Sequence, residues 1–140
     1  MIREAELSDL PELVRMGRLF AQSIGIPLDD ESTLDTLENL IDSESSVLLI
    51  GEGVMAGALA YPLFFNKDIT VAQELFWWAD KDRRGSGIGR DILMSLEQWA
   101  QSIGAHHLTM LAMDTSPEYV DAVYIRNGYK PFEKTFVKGF

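Results

Sequence analysis

Hydrophobic and polar positions change their period several times along the chain. Residues Ile2–Leu7 alternate weakly and predict a short first strand. Leu10, Leu13, Val14, Gly17 and Phe20 then fall on one helical face, with Asp9 and Glu12 in capping-box order and Pro11 in the first turn. Gly25-Ile26-Pro27 breaks that pattern. A second helix is expected from Asp30 or Ser32, with Leu34, Leu37, Leu40 and Ile41 inward and Asp35, Glu38 and Asp42 outward.

From Ser46 the period becomes that of strands. Val47–Ile50 and Val54–Leu63 flank Gly51-Glu52-Gly53, which reads as a hairpin turn. Asn66-Lys67-Asp68 is the next turn signal, and Ile69–Ala79 reads as a long strand ending in Trp77 and Trp78. A glycine-rich stretch follows, then a helix carrying Ile88, Ile92, Leu93, Leu96, Ala100 and Ile103 at helical spacing, stopped by Gly104. His107–Ala112 predicts another strand, Ser116-Pro117-Glu118 opens a short helix reaching Arg126, and Tyr129–Val137 predicts a last strand with Pro131 at its start or at a bulge. The order is β, α, α, β, β, β, loop, α, β, α, β. With no repeat or linker, residues 1–140 read as a single domain of α/β class, with a mixed sheet and helices on it.

Charge and cysteine count narrow the functions. The formal net charge is −10, and cysteine is absent. Twelve acidic and three basic side chains lie in residues 1–52, so nearly all the excess is N-terminal. This balance argues against nucleic acid or an anionic membrane as partner, since both are recruited by basic patches. Without cysteine there is no disulfide, no thiolate metal site and no cysteine nucleophile. No signal-peptide core or membrane-length apolar run appears, so a cytoplasmic protein is expected.

The most informative segment is the strand, glycine-rich turn and helix around Arg84-Gly85-Ser86-Gly87-Ile88-Gly89-Arg90. Glycines let backbone approach a ligand closely, and a helix starting near Gly87 points free N–H groups outward with the positive end of its dipole behind them. Arg83, Arg84 and Arg90 add cations, so a phosphorylated ligand is the economical reading. A nucleotide-triphosphatase loop would need Lys then Ser or Thr where Arg90-Asp91 stand, and a dinucleotide fingerprint needs a different glycine spacing inside a parallel βαβ unit.

The pattern Arg84-x-x-Gly87-x-Gly89 does resemble the coenzyme A pyrophosphate loop of the GNAT superfamily of N-acetyltransferases, and Tyr124-x-x-x-Gly128-Tyr129 and the order of elements resemble that family over nearly the whole chain. The resemblance implies a three-layer fold in which antiparallel strands lead to a splayed strand pair around the acyl-CoA site. It implies that backbone groups of Trp77, Trp78 and Ala79 pair with the pantetheine arm, and that the loop from Arg84 through Gly85, Ser86, Gly87, Ile88 and Gly89 to Arg90 holds the pyrophosphate. It also implies acetyl-CoA as co-substrate, no metal, and direct attack by a primary amine within a ternary complex.

The proton chemistry has two candidates. Tyr124 matches a family tyrosine whose hydroxyl approaches the coenzyme sulfur as general acid; a packed ring is the alternative. Glu74 is the only carboxylate within the strand leading to the loop, and burying it unpaired is costly. The family's glutamate position falls on Gln73, so Glu74 serves as base or acceptor anchor only if a bulge shifts the register or if this subfamily uses the neighbouring face; pairing with an arginine is the structural alternative. His106 and His107 are adjacent on a strand and point to opposite faces, as do Trp77 and Trp78. Asp114 is a weaker candidate for acceptor contact.

The expected acceptor is a small cationic amine or a protein lysine or N-terminus, drawn in by the acidic N-terminal helices. Dimers are common in the family, so a homodimer is compatible. Two other readings stay open: a non-catalytic acyl-CoA-binding sensor, and an acidic protein-interaction domain.

Overall fold

The computed structural model describes residues 1–113, 116–117 and 119–140. Its elements are β1 (Arg3–Glu4), a 3-10 turn (Leu7–Asp9), α1 (Leu10–Ile24), α2 (Asp30–Asp42), β2 (Ser46–Gly51), β3 (Val54–Leu63), β4 (Asn66–Ala79), a 3-10 turn (Lys81–Arg83), α3 (Ile88–Ser102), β5 (His107–Thr109) and α4 (Tyr119–Arg126). One five-stranded sheet runs β1-β2-β3-β4-β5, antiparallel throughout except for the parallel β4–β5 pair.

Strand alternation sorts the core into two layers. Leu48, Ile50 and Met55 face one side and pack against Leu13 and Met16 of α1 and Leu37 and Leu40 of α2. Val47, Leu49, Val54, Ala56 and Ala58 face the other and pack against Ile92 and Leu96 of α3. A three-layer α/β domain results, as the resemblance implies.

Four expectations need correction. The capping box sits three residues early: an extra 3-10 turn precedes α1, so the Asp9 carboxylate accepts the Glu6 N–H (2.8 Å) and pairs with Arg3, while Glu12 pairs with Arg15. The tight turn expected at Asn66-Lys67-Asp68 lies instead at Phe64-Phe65; Asn66 Oδ1 accepts the Asp68 N–H (3.1 Å), and that local bond makes an irregularity in β4, where pairing jumps from Pro62–Thr70 to Leu63–Asn66.

The strand expected over His107–Ala112 stops at Thr109, because side chains take the backbone groups of Leu111. The strand expected over Tyr129–Val137 does not form: residues beyond Tyr129 pair with no strand, and Phe132, Phe136 and Val137 are exposed. Its alternation is defective, since Phe132 and Phe136 would share a face with Lys134 and Lys138 while Val137 faces the other way, and Pro131 lacks a donor.

Candidate functional site

β4 determines where the site lies. Its residues Val71, Ala72 and Gln73 pair with His107, Leu108 and Thr109, and there the β4–β5 ladder ends. From Glu74 to Ala79 the strand keeps β3 on one side and, among the described residues, has no strand partner on the other. Such an edge offers unpaired N–H and C=O groups, which suit an extended ligand containing amides.

A β-bulge at the same point reverses the facing of the strand. Phe76 pairs with Gly57 but Glu74 pairs with Ala58, leaving Leu75 as the extra residue. Without it, Glu74 would face α1 and α2; with it, Glu74 joins the α3 side with Ala58. Gly57 is required here by space, because a Cβ would lie 2.7 Å from the Phe76 ring. Beyond the bulge Trp77 packs toward α3 and α4 and Trp78 toward α1 and α2, opposite ways as expected.

The end of β4 is knotted in place by Asp80. Its carboxylate accepts Trp78 Nε1 (2.9 Å) and pairs with Arg15 of α1 (2.7 Å), and its N–H donates to the Gly53 carbonyl (2.8 Å). The loop then turns through Gly85 (φ 82°) and Gly87 (φ 86°), conformations that L side chains rarely adopt. Nothing lies within 4 Å of a Cβ at either, so backbone conformation and not space demands glycine. α3 begins without a side-chain cap, and its first helical bond runs from Asp91 N–H to the Gly87 carbonyl (3.2 Å). The amides of Ile88, Gly89 and Arg90 therefore precede the helical ladder and are available to an anion.

A cleft of about 830 Å³ joins the open strand edge to this loop. Of the residues expected to bind the cofactor, Trp77, Trp78, Ala79, Arg84, Gly85, Gly87, Ile88, Gly89 and Arg90 line it. Ser86 does not; its hydroxyl donates to the Arg83 carbonyl (2.6 Å). Arg83 is also turned away, paired with Glu52. Arg84 lies with its guanidinium 4.9 Å from the Trp78 ring centroid and donates Nε–H to the Ala79 carbonyl (2.9 Å), which occupies one of the backbone groups expected to meet the pantetheine arm.

The opposite wall was not legible in the sequence. α4 contributes Val120, Val123 and Arg126, Asn127 follows just after it, and the end of α1 contributes Phe20, Ser23 and Ile24. Arg126 makes a third cation on the cleft with Arg84 and Arg90, and among the described residues no carboxylate lines it. Of the N-terminal acids, Asp9, Glu12, Asp30 and Glu52 are drawn into ion pairs with Arg3, Arg15, Arg18 and Arg83.

Glu74 and Tyr124 lie behind the cleft wall. Glu74 is 3 % exposed, and one carboxylate oxygen accepts the Leu111 N–H (3.1 Å). Burial raises its pKa to about 7. The Tyr124 hydroxyl donates to the Leu111 carbonyl (2.6 Å) and accepts from Trp77 Nε1 (2.9 Å), and burial, with the Glu74 carboxylate nearby, pushes its pKa well above the usual tyrosine value. Tyr129 packs on Tyr124 and bonds Glu97 (2.9 Å). His106 Nδ1 accepts the Thr70 N–H (3.1 Å), so it is engaged at the sheet. Asp114 lies outside the described residues. Among the described residues no group of three or more His, Asp or Glu side chains could hold a metal ion.

A positive-φ glycine loop, free helix amides, three arginines and an open strand edge on one cleft fit a pyrophosphate with an amide-bearing arm. The sequence matches the model of the Acetyltransferase (GNAT) family over residues 13–129. No curated protein matches it. Among solved structures it is similar to a transcriptional regulator from Bacillus halodurans (18% identity, 100% of this chain and 99% of that one, TM-score 0.82). It is also similar to a predicted acetyltransferase from Clostridium acetobutylicum solved with acetyl-CoA (19%, 99% and 95%, 0.77) and to a ribosomal-protein-alanine N-acetyltransferase from Brucella melitensis (19%, 100% and 99%, 0.76). These identities speak for the fold, and the family match covers most of the chain: the protein belongs to the GNAT family of acyltransferases, which use acetyl-CoA for acetyl transfer.

Proposed function

We propose that this protein transfers an acetyl group from acetyl-CoA to a primary amine by direct attack in a ternary complex. The observation that carries the reading is the meeting of the open Glu74–Ala79 edge with the Arg84–Arg90 loop on one cleft. The amides of Ile88, Gly89 and Arg90 and the side chains of Arg90 and Arg126 hold the phosphates, and the free β4 backbone aligns the arm. The co-substrate supplies a thioester carbonyl; the neutral amine forms a C–N bond to it, the C–S bond breaks, and the proton lost by the amine nitrogen passes through solvent to the departing thiolate, giving the amide and free coenzyme thiol.

The acceptor enters between the end of α1 and the loop before α4. Phe20, Ile24, Trp78 and Met113 give that end an apolar lining, with Phe20 edge-on to Trp78 at 6.4 Å. This favours an amine carried beside apolar surface, such as a peptide N-terminus or a lysine in an apolar sequence. The acidic helices act only at longer range, by attracting cations to that side.

The cleft holds its reactants in place more than it moves protons. A lysine amine of reference pKa about 10.4 is neutral in roughly one molecule in 2,500 at pH 7, so turnover on it should rise close to tenfold per pH unit between 7 and 9, whereas turnover on a peptide N-terminus of pKa about 7.7–8.0 should level off above about pH 8. The test is thiol release from acetyl-CoA over peptides, polyamines, aminoglycosides and amino acids as a function of pH. Release that needs an amine and favours apolar peptides supports the reading; acetyl-CoA binding without turnover on any amine would favour a sensor instead.

A further inference from the structure

We propose that Glu74 and Tyr124 are positioning residues that hold the β4–β5 splay open by taking both backbone groups of Leu111. This rests on the cleft being the acyl-donor site. A parallel ladder continuing past Gln73 and Thr109 would draw the chain after β5 against β4 and close the edge at Glu74–Ala79. Instead the Leu111 N–H goes to the Glu74 carboxylate and the Leu111 carbonyl to the Tyr124 hydroxyl, at 3.1 and 2.6 Å. Both groups are satisfied without a ladder, so opening the sheet leaves nothing at Leu111 buried and unpaired.

The two side chains reach Leu111 for separate reasons. The bulge at Leu75 turns Glu74 to the α3 side, and Gly57 gives the Phe76 ring the space that the bulged strand needs. Tyr124 is carried by α4, buried with Leu93 and Val120, and its hydroxyl also receives Trp77 Nε1 from the cleft wall. A single connected set, Glu74–Leu111–Tyr124–Trp77, thus ties the open edge to α4. An acid–base role is disfavoured by the same geometry: neither side chain lines the cleft, and the Tyr124 proton is already given to Leu111.

Glutamine can accept the Leu111 N–H through its amide oxygen but cannot take up a proton as a base. We expect Glu74→Gln to keep kcat and the acetyl-CoA KM within about threefold, because the contact survives. Glu74→Ala and Tyr124→Phe should each raise that KM about tenfold with a smaller fall in kcat, and the double variant should lose less than the product of the two, since both act on Leu111. Hydrogen exchange gives a second readout that needs no turnover: Leu111 amide protection should fall at least tenfold in Glu74→Ala and persist in Glu74→Gln. A hundredfold or greater fall in kcat for Glu74→Gln at unchanged KM, with loss of a pH limb near neutrality, would make Glu74 the base and overturn the proposal. Unchanged Leu111 exchange in Glu74→Ala would overturn it too. Should Glu74→Ala fail to fold, Glu74→Gln and Tyr124→Phe still decide. Failure of the parent protein to bind acetyl-CoA would instead sink the donor-site reading, and the exchange result would still report on the splay.

Discussion

The two halves of β4 are built from the same kind of residues and do different work. In Val71–Gln73 the strand is paired on both sides and carries only sheet; from Glu74 to Ala79 it is paired on one side, and its last three residues, Trp77, Trp78 and Ala79, wall a cleft. One extra residue at Leu75 and two side-chain bonds to Leu111 separate them. An open edge has thus been made by withholding a strand partner and supplying substitutes for the hydrogen bonds given up at Leu111, which a local change in facing made possible.

The contrast is sharpened most by Glu74, the one charged residue at the junction. Burial raises its pKa from 4.5 to about 7, so the folded state binds an extra proton between those values. Stability from this group is therefore fully present below about pH 4.5 and is lost as pH rises through 7, by on the order of 3 kcal/mol. Glu74→Gln should remove that slope, measured as the difference between variant and parent in urea unfolding at pH 5 and pH 8. Both measurements lie above the range in which Asp9, held down to about 2 chiefly by its bond to Arg3, contributes in the opposite sense, since that stability is lost only as pH falls from about 4 through 2.

Next in size is the loop that the open half feeds. Gly87→Val forces a β-branched residue to φ 86° and should weaken acetyl-CoA binding about a hundredfold while thermal unfolding stays cooperative. Arg126→Ala removes a cation from the far wall; a tenfold rise in acetyl-CoA KM is expected, growing at low salt, about 1.4 kcal/mol. Smallest of all is Gly89→Ala. A Cβ there meets Val123 and Trp77 at 3.6 and 3.7 Å, ordinary contact, so affinity should not move by more than about twofold and stability should rise by no more than about 1 kcal/mol.

Most of the donor side was legible because it is written in local signals. A glycine run, a helix start and an amphipathic stripe each occupy a few consecutive residues, so the loop and the helix from about Gly87 to Gly104 were readable from spacing, and the resemblance of Arg84-x-x-Gly87-x-Gly89 to a family loop supplied the donor role. What escaped depends on partners distant in sequence. The bulge that turns Glu74 is set by Gly57 and Phe76 across a strand pair, and the early end of β5 by Glu74 and Tyr124, residues 37 and 13 positions from Leu111. Arg126 and Phe20 reach the cleft only through helix packing, although an arginine two residues after Tyr124 in the last helical turn was a signal that could have been weighed. The terminal segment misled for the converse reason: its apolar residues fit a strand in number, but Phe132 and Phe136 alternate with Lys134 and Lys138 on one face and Val137 lies on the other, so no apolar face forms.

The central claim is tested most directly by titrating acetyl-CoA into the protein by calorimetry, with Gly87→Val alongside. The account predicts one site per chain, with a dissociation constant in the enzyme range of about 1 μM–1 mM, weakened about a hundredfold in the variant. No measurable binding at millimolar acetyl-CoA, or equal binding by both proteins, would contradict it.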